Sequence, residues 1–178
     1  MDRLTAPLNS LDSMKDSVCT VKSPADCSTA ELGDFVALVR AGNEVDFVGL
    51  PKRVKEAHLL AFLRAGECLV GVAGLKFPAK NHRSEVNVGS GAALPAESFP
   101  LELGWIFVLP TARGGKSYPL CAPLVRAADD KGIFATSRSK NDPMHTTLAK
   151  LGFSRLGGQW PSYLNPDNLL RLFVKHAV

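Results

Sequence analysis

The sequence predicts a mixed α/β (α+β) fold, with one central sheet of six to seven strands and about four helices spread over both faces. Three observations predict it. Strand-like and helix-like segments follow one another as strand, two helices, three strands, helix, strand, helix and two strands. Residues 101–109, LELGWIFVL, form an apolar and aromatic run ending at Pro110, as a central strand does. The length of 178 residues, with 46% hydrophobic and 21% charged side chains, suits one soluble globular domain able to bury a core.

Each element has its own justification. Residues 1–16 are polar and aperiodic, which predicts a loose arm ahead of a single domain spanning 17–178. SVCTVK, 17–22, reads as a short strand. Ser and Asp in the following segment offer N-caps to an amphipathic helix carrying Leu32, Phe35, Val36 and Val39 and ending near Gly42. LPKRVKEAHL opens with Pro51 in a first turn and predicts a second, shorter helix. LLAFLRA, the turn at Gly66 and Glu67, and CLVGVAGLKF predict a β-hairpin. Residues 78–100 hold three prolines and five Asn or Ser residues without apolar period, so a long connection is expected there.

After the 101–109 strand, PLCAPLVRAADDKG predicts a helix with Leu120, Leu124 and Val125 or Ala127 on one face. Pro119 fits a first turn, whereas Pro123 predicts a late start or a kink. IFATS is a further strand. NDPMHTTLAKLG is a helix capped by Asn141 or Asp142, with Pro143 in its first turn and Gly152 at its stop. FSRLGGQW and NLLRLFVK are two closing strands around a PSYLNPD turn. No internal repeat is visible.

Net charge of +4 and a pI near 9.0 favour phosphate-bearing partners, CoA and nucleic acid alike, while an evenly solvated basic surface explains the same numbers. Cys19, Cys27, Cys68 and Cys121 lack metal or disulfide spacing, so a reducing cytoplasm and no metal are expected. The first residues lack an apolar signal core, and no stretch reaches a membrane span, which predicts neither export nor membrane anchoring.

Three local motifs then share one resemblance. They are Val108-Leu109-Pro110-Thr111-Ala112-Arg113-Gly114 after the 101–109 strand, Asn141 followed by Leu151-Gly152-Phe153, and the strand Leu69-Val70-Gly71-Val72-Ala73. Each string is common alone, but in this order and on these elements they resemble the GNAT superfamily of acyl-CoA N-acyltransferases, across the chain from about residue 17. The resemblance implies a mostly antiparallel GNAT-like sheet, acetyl-CoA or another acyl-CoA as co-substrate, and transfer of the acyl group to an amine.

It also implies site residues. Arg113, Gly114, Gly115, Lys116 and Ser117 would cradle the CoA pyrophosphate, since such a turn needs several backbone N–H groups converging at a helix N-terminus with no Cβ in the way. Lys116 and Tyr118 stand where the family carries small residues. Gly115-Lys116-Ser117 also resembles the end of a Walker A loop, but Pro110 occupies the place of that motif's first glycine. The backbone of Phe107 or Val108 would polarise the thioester carbonyl, and Asn141 would contact the CoA arm or cap its helix.

The family's tyrosine acid is replaced by Leu148, leaving His145, Tyr118 and Ser137 as candidate acids; His145 also reads as an exposed helix histidine without a role. Glu102 is the candidate base, against a solvated strand-end carboxylate, with Glu85 and Glu97 as alternatives. Arg138 and Lys140 either recognise an anionic group or are simply solvated. Residues 78–100, including His82 and Arg83, and the Trp160-Pro161-Ser162-Tyr163 turn are expected to frame the acceptor. Two rival readings stay open: a Mom-type enzyme modifying a nucleic-acid base, and a non-catalytic binding module. A homodimer is compatible with either, and the acceptor amine is not specified.

Overall fold

A computed structural model describes residues 16–178, so the expected arm lies outside the described residues except for Asp16. Seven strands form one sheet in the order β1-β2-β3-β4-β5-β7-β6. They are β1 Ser17–Lys22, β2 Leu59–Ala65, β3 Cys68–Lys76, β4 Leu101–Val108, β5 Ile133–Arg138, β6 Ser154–Pro161 and β7 Leu169–Lys175. All neighbours are antiparallel except β4 and β5, which run parallel.

Helices cover both faces. On one, α1 (Thr29–Gly42) and α2 (Leu50–Lys55) bury Phe35, Val36, Val39, Leu50 and Val54 against Leu60, Phe62, Val72 and Trp105. The start of α1 is fixed by a capping box in which Glu31 N–H donates to Ser28 Oγ at 3.1 Å and Ser28 N–H donates to Glu31 Oε2 at 2.8 Å. On the other face, α4 (Ser117–Arg126) and α5 (Asp142–Lys150) place Leu120, Leu124, Met144 and Leu148 over Leu63, Ala73, Leu103, Ile133 and Ala135. Pro123 lies inside α4, which starts before it at Ser117, so the late start expected from that proline is not found. With Leu120, Cys121 and Leu124 all buried, packing offsets the lost hydrogen bond.

The connection expected over 78–100 contains a helix, α3, at Lys80–Ser90, bringing the α-helices among the described residues to five. Its sequence hides it, because Val86 is its only buried apolar side chain and Asn, Ser and Gly are weak helix formers. The helix is fixed by bonds to the chain that follows. Arg83 donates to Leu94 O and Phe99 O at 3.0 and 2.8 Å, and Leu94 N–H donates to Asn87 Oδ1 at 3.0 Å. Val86, Leu94 and Phe99 then pack on Phe134, Leu172 and Val174, so α3 roofs the β5–β7 half of the face that α1 and α2 cover over β2–β4.

Candidate active site

Strands β4 and β5 pair at two positions only, Leu101 with Ile133 and Glu102 with Phe134, and diverge beyond them. The result is a V-shaped gap between two central strands of one sheet. The opposite edge of β4 is held by β3, with a bulge where Val72 and Gly74 face Phe107 and Gly104. Trp105 occupies the bulge at φ 54°, a strained conformation for a bulky residue. The extra residue resets the side-chain alternation. Leu101 and Leu103 face α4, as do Ile106 and Val108, while Trp105 and Phe107 turn to the α1 side.

Leu109 N–H donates to Val70 O at 2.8 Å on the β3 edge. Strand alternation therefore directs the Val108 amide into the gap and the Phe107 amide toward β3, so of the two expected carbonyl partners only Val108 is presented there. The Phe107 ring instead closes on the end of α1, where a Cβ on Gly42 would lie 3.0 Å from it.

At the wide end of the gap, Gly114 and Gly115 adopt φ 111° and 75°, and a Cβ on either would meet nothing within 4 Å. The amides of residues 114–118 donate to no backbone carbonyl among the described residues, and they lie at the N-terminus of α4. Lys116 Nζ is turned aside to Ser17 Oγ at 2.9 Å. Arg113 Nε lies 3.4 Å from Val108 O, joining the turn to the end of β4.

Glu102 stands at the apex of the gap and is buried, not a solvated strand-end carboxylate. Its Oε1 accepts from Lys76 Nζ at 3.0 Å and lies 3.2 Å from His82 Nε2, while Oε2 is buried without a hydrogen-bond partner. Burial pushes the carboxyl up, but the Lys76 ammonium and the His82 hydrogen bond outweigh it and hold the group at about 2. Gly104 makes room for this cluster, since a Cβ there would touch Lys76 Nζ at 3.0 Å. Lys76 also sits over the Trp105 ring at 4.9 Å. The sequence reading missed Lys76. Its only signal is position, at the end of β3 directly opposite Glu102.

The remaining candidates occupy other neighbourhoods. His145 is buried against Phe173, contrary to an exposed position, with Nε2 3.0 Å from Arg138 O and Nδ1 3.4 Å from Arg155 Nη2. Both ring nitrogens are thus engaged. Tyr118 is exposed on the first turn of α4, beside a groove of roughly 430 Å³ that Arg126, Lys131, Lys150 and Lys175 also line. Asn141 caps α5, its Oδ1 accepting from Met144 N–H at 3.3 Å. Ser137 is buried, and its hydroxyl reaches Arg138 O at 3.4 Å. Arg138 pairs with Glu44 at 3.3 Å, Lys140 is exposed, and Glu85 and Glu97 are exposed. Glu102, His145 and Tyr118 are therefore not gathered into one constellation. Among the described residues, no three His, Cys, Asp or Glu side chains form a metal-binding group, and no helix is long and apolar enough to cross a membrane.

The split parallel pair, the bulged strand and the glycine turn at a helix N-terminus together define the GNAT fold. Solved structures agree. An acyl-CoA N-acyltransferase from Pseudomonas aeruginosa is similar with a TM-score of 0.65 at 14% identity, over 90% of this chain and 99% of that one. FeeM, an N-acyl amino acid synthase from uncultured soil microbes, gives 0.69 at 14% identity over 90% and 91%. The ribosomal-protein-S18-alanine N-acetyltransferase of Escherichia coli gives 0.60 at 13% over 90% and 94%. No protein-family model matches the sequence, and no curated protein matches it significantly.

Proposed function

We propose that this protein is an acyl-CoA-dependent N-acyltransferase that transfers an acetyl or related acyl group to an amine. The observation that carries the reading is the β4–β5 gap ending at a glycine turn whose five amides donate to no backbone carbonyl among the described residues. A pyrophosphate suits those amides and the positive end of α4, with Lys116 and Ser117 beside them. The pantetheine arm would pair with the free edge of β4, bringing the thioester to the Val108 amide, which stabilises charge developing on the carbonyl oxygen. Asn141, whose Oδ1 caps α5, would contact the arm from the end of β5.

Acceptor amines would approach from the α1–α3 side, where Glu102 lies. With Leu148 in place of a tyrosine and His145 engaged, no acid is assigned to the departing thiolate apart from Tyr118. Positioning and the backbone amide would carry most of the rate.

Calorimetric titration with acetyl-CoA and CoA, beside Gly114→Glu, tests this reading. Micromolar binding to the native chain, lost in the variant, supports it; no binding to the native chain removes it. The reading as a nucleic-acid base modifier has the basic groove beside α4 in its favour, and salt-sensitive DNA binding would be its signature. The non-catalytic reading rests on Lys116 and Tyr118 and ends with any measured turnover.

A further inference from the structure

The inserted helix α3 brings a second titratable group to the apex of the gap. We propose that His82 is the proton acceptor for the incoming amine, and that Glu102 acts behind it as the positioning residue that fixes its ring. This rests on the acyltransferase reading above and deepens it.

The geometry has three parts. Glu102 Oε1 lies 3.2 Å from His82 Nε2, and an ionised carboxylate can only accept, so Nε2 carries the hydrogen and Nδ1 carries the lone pair. Nδ1 has no hydrogen-bond partner among the described residues, and the side chain is 38% exposed against 5% for Glu102. The ring stacks on Phe134 at 6.4 Å, and Phe134 is the residue that pairs with Glu102 across the last joined position of β4 and β5. His82 thus spans the point where the gap begins, on the side open to an acceptor.

Glu102 itself is poorly suited to take the proton. Tied to Lys76 and held at about 2, it returns a proton readily and binds one weakly near neutrality. As the fixed anion behind an imidazole it has a different use, stabilising the imidazolium as it forms and holding one tautomer. The charged groups around His82 are Glu102 from β4, Lys76 from β3 at the same carboxylate oxygen, and Arg83 on α3, which lies over the same Phe134 ring at 5.3 Å with Glu97 nearby; β5 contributes only the apolar Phe134.

The step balances as follows. An alkylammonium gives one proton to His82 Nδ1, directly or through one water, and becomes a neutral amine. Its nitrogen lone pair forms the C–N bond to the thioester carbonyl carbon, the C–S bond breaks with its electron pair on sulfur, and the second nitrogen proton passes to the thiolate to give CoA thiol. The imidazolium returns its proton to solvent.

The test uses full-length wild type, His82→Gln and Glu102→Gln, with acetyl-CoA and ethylamine as probe and release of CoA thiol as readout. His82→Gln should lower release near neutral pH by on the order of 10²-fold and change the shape of the pH–rate profile, while acetyl-CoA affinity by calorimetry stays within about twofold. Hydroxylamine, already neutral at that pH, should restore most of the rate in His82→Gln. Nitrogen NMR of the cofactor-free protein should find His82 protonated at Nε2, with that preference weakened in Glu102→Gln. An Nδ1-protonated His82, or an unchanged rate and profile in His82→Gln that still binds acetyl-CoA, would overturn the proposal. Failure of wild type to bind acetyl-CoA defeats the acyltransferase reading instead, and the NMR result still decides the pairing of His82 with Glu102.

Discussion

The Trp105 indole lies against Gly74, so that a Cβ added to Gly74 would stand 2.6 Å from the indole Cε3. The contact seats the one bulged residue of β4, which also meets Phe35 edge-on at 6.0 Å and carries Lys76 over its ring. A single glycine on β3 thereby makes room for the bulge after which the β4 side chains exchange faces.

Gly74→Ala should accordingly destabilise the protein by about 2 kcal/mol, the usual effect of overpacking a filled site. Urea unfolding measures the loss, and thiol release from acetyl-CoA should fall in the same variant under native conditions. Full stability with full activity would mean that the bulge is not held by this contact.

Gly89 gives a sharper test, because alanine ordinarily strengthens a helix interior by about 0.5–1 kcal/mol. Here a Cβ would collide with the Trp160 indole, which lies on α3 from β6. Gly89→Ala should therefore destabilise by about 2 kcal/mol, reversing the usual sign. Hydrogen exchange should show the loosening concentrated in α3 and β6.

Glu102 predicts a pH dependence with a defined sign. Its folded-state value is depressed from 4.5 to about 2, so its contribution is fully present above about 4.5 and lost as pH falls toward 2. Glu31, held down first by its hydrogen bond from Lys22, titrates in the same window. The difference between wild type and Glu102→Gln therefore isolates Glu102. The variant should be less stable at neutral pH and show a flatter acid limb in denaturant melts recorded from pH ~3 to ~7.

Ser28→Ala removes one half of the α1 capping box and should lower stability by about 1 kcal/mol. Thermal unfolding followed by circular dichroism reads it. Because α1 packs on Trp105 and Phe107, a loss much larger than this would show that the helix start is coupled to the bulged strand.

Much of this molecule was legible in the chain. The period-3.6 pattern of Leu32, Phe35, Val36 and Val39, the proline and asparagine at the start of α5, and the continuous apolar run of β4 specify their elements, because each buries one side of a local repeat. The paired glycines at 114 and 115 likewise marked a turn without Cβ atoms, and both adopt positive φ. What the sequence could not state depends on contacts between distant residues. Helix α3 has a single buried apolar residue and is held by bonds from Arg83 and Asn87 to residues 94–99, so no local period announces it. The engagement of both His145 nitrogens by Arg138 and Arg155 is equally invisible in a list of titratable residues. Glu102 could be named from its place in β4, but its state could not. Lys76 and His82 reach it from β3 and from a helix twenty residues upstream, and only tertiary packing removes water from the carboxylate and sets the Lys76 ammonium and the His82 ring against it.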